Sequence, residues 1–389
     1  MTIEELQVGF VANTDLEQHI ETNDQEALVN AFKEKVQQSG DGNYKEGIHA
    51  PSAHAPKHWY SKKLSGWVHH HLISEDFKVA VEKKYGVFVI QRASGEFHYE
   101  EQPIFTRIGM HLLFAGRAQE KLVHSEMMHK LFLHESKKQG IFFSDPKSTK
   151  QIPSFVSHYG IDMSEYVQQD LAAYKNFNDF FTRAISPAAR PIAEPENKDI
   201  IVSAADCRLN VFKNITDATT FWIKGKNFTL ANLLQDDALA TSLDGGAIAI
   251  FRLAPQDYHR FHVPSHCTVQ SIKDIAGTYY TVNPCTVREE LDVFTENRRQ
   301  VITMKNHRDQ PFALVAIGAL LVGSIELTNC KQGATLTKGQ EAGQFCYGGS
   351  TVVVVFPKDT VQWDDDLLQH STQSFETLIH VGDHIGKFI

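Results

Sequence analysis

The prolines at Pro187, Pro191 and Pro195 separate two stretches of unlike texture, and that change constrains the fold more than any other feature of the chain. Before them, apolar residues recur at helical intervals, as in Trp67, Val68, Leu72, Phe77, Val79 and Val81. After them come short β-branched and aromatic runs separated by Gly, Asn and Asp. These are Ile200 to Ser203, Leu209 to Phe212, Ala247 to Leu253, Val269 to Ile272, Ala313 to Leu321 and Thr351 to Phe356. Runs of this kind, cut by turn residues, predict strands. The expectation is an α+β fold, with an N-terminal helical region followed by a mostly β domain. Its divisions are a polar extension over 1–58, a helical region over 59–185 and a β-rich domain over 186–389.

Within the first part, a short helix is expected from Leu16 to Gln38 and helical packing from Trp59 to Gly86. Pro153 to Ile185 also reads as helical. Pro103 to Gly140 is strongly amphipathic, with Ile104, Phe105, Ile108, Leu112, Leu113 and Phe114, then Val123, Met127, Leu131 and Phe132. Across Arg107 to Lys150 there are eight Lys or Arg against four Asp or Glu, opposite in sign to the whole chain. An apolar face beside cations suits an anionic lipid surface, so peripheral membrane contact is expected here. The same face would also serve to pack on the β domain. His69, His70 and His71 point in different directions on a helix and do not make a metal site.

Composition excludes several classes. Hydrophobic residues make up 42% and charged residues 22%, the balance of a globular chain. A net charge of -9 gives no basic footprint, and no nucleic-acid partner is expected. No run of about 18 apolar residues is present, so no transmembrane helix is expected. Met1 to Phe10 is acidic and unlike a signal peptide. Cys207, Cys267, Cys285, Cys330 and Cys346 are scattered without a CxxC pair, which signals neither zinc nor a disulfide framework. A reducing, intracellular setting follows, either cytoplasmic or peripheral on an endomembrane surface.

Three segments carry candidate chemistry. In Gly348-Gly349-Ser350-Thr351, two glycines permit close backbone approach and a serine opens an apolar strand. By itself Gly-Gly-Ser is an ordinary turn entering a strand. Leu253 to Pro264 (LAPQDYHRFHVP) holds His259 and His262, bracketed by Pro255 and Pro264, which favours acid/base work in a loop or strand over a helical metal pair. Ile201 to Asp206 is an apolar strand ending on a carboxylate, usually a turn residue. Together they supply an Asp, a His and a Ser, the ingredients of an activated nucleophile.

With these segments stand Phe177 to Pro191 (FNDFFTRAISPAARP), Val202 to Arg208 (VSAADCR), Trp222 to Phe228 (WIKGKNF), Tyr280 to Arg298 (YTVNPCTVREELDVFTENR) and Val315 to Ser324 (VAIGALLVGS). In this order they resemble the phosphatidylserine decarboxylases, most closely the eukaryotic type II branch, from about residue 105 onward. The calcium-binding modules that begin many type II members are not evident.

The resemblance implies a zymogen, cut autocatalytically at the bond between Gly349 and Ser350. Ser350 would become a covalent pyruvoyl group, with neither pyridoxal phosphate nor metal. It implies that His262 is the base for Ser350, that Asp206 orients and supports His262, and that His259 acts in decarboxylation by delivering a proton. Chains 1–349 (β) and 350–389 (α) would stay associated, and a homodimer remains open. Phosphatidylserine would bind the pyruvoyl as a Schiff base and leave as phosphatidylethanolamine and CO2. The family's usual Ser-Pro-Ala-Asp is here Ser203-Ala204-Ala205-Asp206, which is expected to loosen the turn and keep the carboxylate. Because soluble relatives that decarboxylate free tryptophan also vary here, a soluble aromatic amino-acid decarboxylase is the alternative, and a non-enzymatic binding protein a third. Tyr258, Phe261, Trp222 and Lys224 are candidate pocket or lipid contacts, or else packing and surface residues.

Overall fold

A computed structural model describes residues 86–101, 140–221, 223, 228–277, 293–318, 324–346 and 350–389. The helices expected at 16–38 and across 59–85 and 103–139 lie outside the described residues, as do Cys285, Trp222 and Lys224.

Between the two N-terminal helical patterns sit strands β1 (Gly86–Gln91) and β2 (Phe97–Glu101). The stretch from Pro153 to Ile185, expected to be helical, is instead two short helices with 3-10 turns between and before them. Helix α1 (Ile152–Tyr159) stops at Gly160, whose φ of 64° is the left-handed conformation that ends helices. Asp162 and Asp170 then cap single 3-10 turns through their side chains. Helix α2 (Phe177–Phe181) starts where the Asn176 side chain accepts from the Asp179 N–H.

From residue 200 the chain is mostly β. The strands are β3 (Ile200–Val202), β4 (Cys207–Phe212), β5 (Ile248–Leu253), β6 (Arg260–His262), β7 (Cys267–Ile275) and β8 (Arg299–Asn306). They continue with β9 (Pro311–Gly318), β10 (Ile325–Leu327), β11 (Thr335–Leu336), β12 (Glu341–Phe345) and β13 (Ser350–Val355). The last are β14 (Val361–Trp363), β15 (Glu376–Ile379) and β16 (His384–Phe388), with helix α3 (Asp365–Thr372) between β14 and β15. The fold is α+β, as expected.

One ten-stranded sheet runs β11-β7-β8-β9-β13-β5-β4-β15-β1-β2, and β10-β12-β6 and β14-β16-β3 form two smaller sheets. Strand β13 lies inside the large sheet, antiparallel to β5 and β9. Its register is unbroken, from Ser350 opposite Leu253 and Gly318 to Val355 opposite Ile248 and Ala313. All six of its residues are buried, which is why the sequence Ser-Thr-Val-Val-Val-Val shows no polar alternation. Among the described residues no helix is long and apolar enough to cross a membrane.

Candidate active site

Asp206 ends the turn between β3 and β4. Ala204 and Ala205 are fully buried in that turn. The Ser203 hydroxyl closes it by donating to the Ala205 carbonyl at 2.8 Å, and the Ser203 N–H donates to the Asp383 carbonyl at 2.8 Å. A serine side chain and a cross-strand bond thus hold the turn without a proline. The Asp206 carboxylate is buried and doubly engaged. Arg190 donates through Nε to both oxygens, at 3.1 and 3.0 Å, and through Nη2 to Oδ2 at 2.8 Å. The Val381 N–H donates to Oδ1 at 2.8 Å.

His262 ends β6, and its N–H donates to the Ala204 carbonyl at 2.8 Å, which ties the two segments together. Its Nδ1 lies 2.8 Å from the Gly339 carbonyl, and its Nε2 lies 3.1 Å from the Tyr258 hydroxyl. A carbonyl can only accept, so Nδ1 carries the hydrogen and Nε2 the lone pair. Neither nitrogen bonds to Asp206. The orienting hydrogen bond comes from Gly339, and Asp206 acts on the ring by its charge. Burial lowers the His262 pKa below the ordinary histidine value, outweighing the Gly339 carbonyl and the charges of Glu341 and Asp206.

Gly339 is required where it stands. Its φ is +75°, and a Cβ there would come within 2.3 Å of Ile192 Cδ1. A backbone carbonyl at that position holds the His262 ring, and side-chain chemistry gives no hint of it.

His259 is fully buried and its Nδ1 donates to the Asp257 carbonyl at 2.9 Å. The Phe181 ring covers it at a centroid separation of 3.9 Å. Helix α2 thus serves the site: Phe177 and Phe180 anchor it in an aromatic cluster with Phe143 and Phe155, and its last residue backs His259. Arg183 follows, 2% exposed, its guanidinium 4.3 Å from the Tyr166 ring centroid. It also donates to the Gln256 and Asp257 carbonyls, at 3.2 and 3.4 Å. The Asp257 carboxylate is held by Arg208 and by the Ala254 N–H.

Ser350 is the first residue of β13 and is fully buried. Its Oγ has no hydrogen-bond partner among the described residues. A buried hydroxyl without a partner is costly and needs a reason. Two pairings bracket it: the Phe345 N–H, at the end of β12, donates to the His259 carbonyl at 2.9 Å, and Ser350 pairs with Leu253. Phe345 and Ser350 are thus each paired to the segment that bears both histidines, at His259 and at Leu253. Gly349 lies outside the described residues.

Of the four side chains expected at the site, His259 and His262 lie on one segment, a backbone bond from His262 to Ala204 ties that segment to the turn ending at Asp206, and Ser350 begins β13 opposite Leu253. Arg190 and Gly339 were not singled out by sequence reasoning; Arg190 stands in the matched stretch ending at Pro191, and Gly339 left no signal. Tyr258 and Phe261 are buried, at 2% and 0% exposure, and their contacts are internal. Phe261 packs on Phe345 at 5.0 Å, and Tyr258 serves His262. Among the described residues no cluster of His, Cys, Asp and Glu could hold a metal ion.

Comparison with known proteins identifies the family. The phosphatidylserine decarboxylase family profile matches residues 177–387. Phosphatidylserine decarboxylase proenzyme 3 of Schizosaccharomyces pombe is 40% identical over 301 residues, covering 77% of this chain and 31% of that protein. Proenzyme 2 of Oryza sativa subsp. japonica is 45% identical over 254 residues, 64% of this chain and 40% of that one. The proenzyme of Fusobacterium nucleatum is 37% identical over 279 residues, 70% of this chain and 92% of its own length. The chain thus spans under half the length of these eukaryotic relatives and nearly all of the bacterial one.

Proposed function

The chain belongs to the phosphatidylserine decarboxylase family, and on that premise we propose that it cuts itself between Gly349 and Ser350 and decarboxylates phosphatidylserine with the pyruvoyl group so made. The Ser350 hydroxyl carries this reading. It is buried and without a partner among the described residues, at the start of an interior strand whose first residue pairs with Leu253, where the histidine-bearing segment begins. A hydroxyl kept there at an energetic cost fits a reacting group.

Maturation follows from the residue types. His262 Nε2 takes the Ser350 hydroxyl proton as Oγ bonds to the Gly349 carbonyl carbon. The C–N bond breaks, the Ser350 nitrogen takes a proton, and an ester replaces the amide. The buried Asp206 carboxylate favours the imidazolium that forms. Loss of the Ser350 α-proton then expels the Gly349 carboxylate. The resulting enamine tautomerises, and water displaces ammonia to leave the carbonyl. The setting of Ser350, between Leu253 and Gly318, suits so small a group.

The pyruvoyl carbonyl supplies the electron sink for breaking the bond to carbon dioxide. His259 gives a proton to the carbon left behind. Its ring is fixed by the Asp257 carbonyl and Phe181, which leaves Nε2 as the exchanging nitrogen. No metal and no pyridoxal phosphate enter this scheme. In this reading residues 186–389 carry the chemistry, and 59–185 is the candidate membrane- or substrate-facing region, inside the cell at a lipid surface. After the cut, 350–389 stays bound, since β13 pairs with β5 and β9, β15 with β4, and β16 with β3.

The test is intact mass of the purified chain with assays on phosphatidylserine vesicles and on free tryptophan. Two fragments, ending at 349 and starting at 350, together with ethanolamine lipid and CO2, are expected. A single full-length mass defeats the whole reading. Cleavage with tryptophan turnover alone defeats the lipid substrate.

A further inference from the structure

The one lone pair on the His262 ring is already taken. Nδ1 is committed to the Gly339 carbonyl as a donor, so Nε2 can only accept, and the Tyr258 hydroxyl 3.1 Å away donates to it. Meanwhile the Ser350 hydroxyl has no partner among the described residues. In this uncleaved chain the base and the nucleophile are both buried, and it is Tyr258 that makes the base's bond.

The geometry points to Tyr258 as a positioning residue of self-cleavage: its hydroxyl occupies His262 Nε2, and Ser350 can pass its proton there only as that hydroxyl lets go. The inference rests on the reading of His262 as the base for Ser350. The proton count is simple. Tyr258 keeps its own hydrogen as it withdraws, Nε2 gains the Ser350 proton, and the Nδ1 hydrogen stays on Nδ1, donated to the Gly339 carbonyl.

Tyr258 is well placed to keep its hydrogen and donate it to Nε2. Burial raises its pKa far above the ordinary tyrosine value, with Glu341, Asp206 and Tyr166 adding to the shift against Arg260. It sits in a cluster with Tyr166 and Val381, against which Ile161, Met163 and Ile185 pack. That packing aims the hydroxyl, whose ring lies 5.6 Å from the imidazole by centroid.

A donor on Nε2 stabilises the neutral imidazole and opposes protonation. The other charged groups facing His262 are Asp206 with its partner Arg190, Glu341 directly across in β12, and Arg260 in β6. Removing the Tyr258 hydroxyl alone leaves those groups in place. It therefore raises the pH at which His262 takes a proton and, above that pH, frees the lone pair for Ser350.

The experiment follows cleavage by mass after cell-free synthesis of the full chain, across pH. Tyr258→Phe is expected to cut roughly two- to tenfold faster near neutral pH, the range set by one hydrogen bond. Its acid limb should move to higher pH. Tyr174→Phe, which loses the 2.6 Å bond of another tyrosine hydroxyl to the Gln168 carbonyl, is the control and should leave the limb unmoved. Should Tyr258→Phe fail to fold, 3-fluorotyrosine at 258, a stronger donor of nearly the same size, should slow cutting and lower the limb. Slower cutting by Tyr258→Phe at every pH, or an unmoved limb, overturns the inference. Cleavage that survives His262→Ala would instead overturn the base assignment beneath it.

Discussion

Arg190 clasps Asp206 from the side, its Nε shared between the two carboxylate oxygens and its Nη2 on Oδ2 at 2.8 Å, with both side chains 9% exposed. The same Nη2 reaches Glu165 at 2.9 Å. A carboxylate so enclosed depends on its cation. Arg190→Ala should cost about 3 kcal/mol or more in urea unfolding, because it leaves a buried charge uncompensated. Arg190→Lys should recover only part, since a lysine cannot span both oxygens. Equal stability of all three proteins would contradict the arrangement.

Gly339→Ala should destabilise the fold by about 1–3 kcal/mol through its strained φ alone. It should also slow cleavage, because the carbonyl that holds His262 would shift. Adding Ile192→Ala removes the side chain that the new Cβ would strike, and should restore part of the stability. Thermal unfolding of the single and double variants reads the difference.

These two residues also mark the limit of what the sequence discloses. Strands β5, β9 and β13 are legible because both faces are buried and their runs are continuously apolar. Strand β8 is not, because its buried positions alternate with Gln300, Thr303 and Lys305. Strand β6 is only three residues long and β12 carries Glu, Gly and Gln, so neither has a run to detect. At the site, Asp206, His259, His262 and Ser350 announce themselves by chemical type. Gly339 contributes a carbonyl, which every residue has, and its meaning arises only when β12 folds beside β6. Arg190 is visible as a letter, but its partner is set by the turn at Ser203.

His262 is depressed below the ordinary histidine value by burial, so it stays neutral to a lower pH than a free histidine. Cleavage should therefore persist as the pH falls through the ordinary histidine value of about 6.5, and fail only below it. The same group links to stability with the opposite sign to a salt-bridged histidine. Between its lowered value and the ordinary one, the unfolded chain binds the extra proton, so stability falls as pH drops through that window. An uncleaved Ser350→Ala chain, unfolded in urea at several pH values, isolates this term.

Ser350→Cys should still cut, because a thiol can make the acyl shift and leave from the β-carbon. Ser350→Ala should not. Intact mass distinguishes them, and a cut alanine variant would exclude a nucleophilic role.

His259→Ala should mature and yet turn over no substrate, whereas His262→Ala should do neither. Phe181→Leu keeps most of the core volume and loosens the cover on His259. It should lower decarboxylation at least several-fold with both fragments present. Loss of cleavage in Phe181→Leu would mean that the aromatic face supports the wrong histidine.

The pairing of Ser350 with Leu253 on one side and Gly318 on the other has a consequence for accuracy. Sliding β13 by one residue would displace its first atom by about 3.3 Å and turn it to the opposite face. Neighbours on both sides and six buried residues forbid that slip. On the proposed function, a reactive carbonyl grown at this position would be indexed by the hydrogen-bond lattice itself, in the way a fixed stop indexes a ruler. The proposed cut would sever the chain at the first residue of β13, so the reacting carbon would be freed from its predecessor while its coordinates stayed those of the sheet.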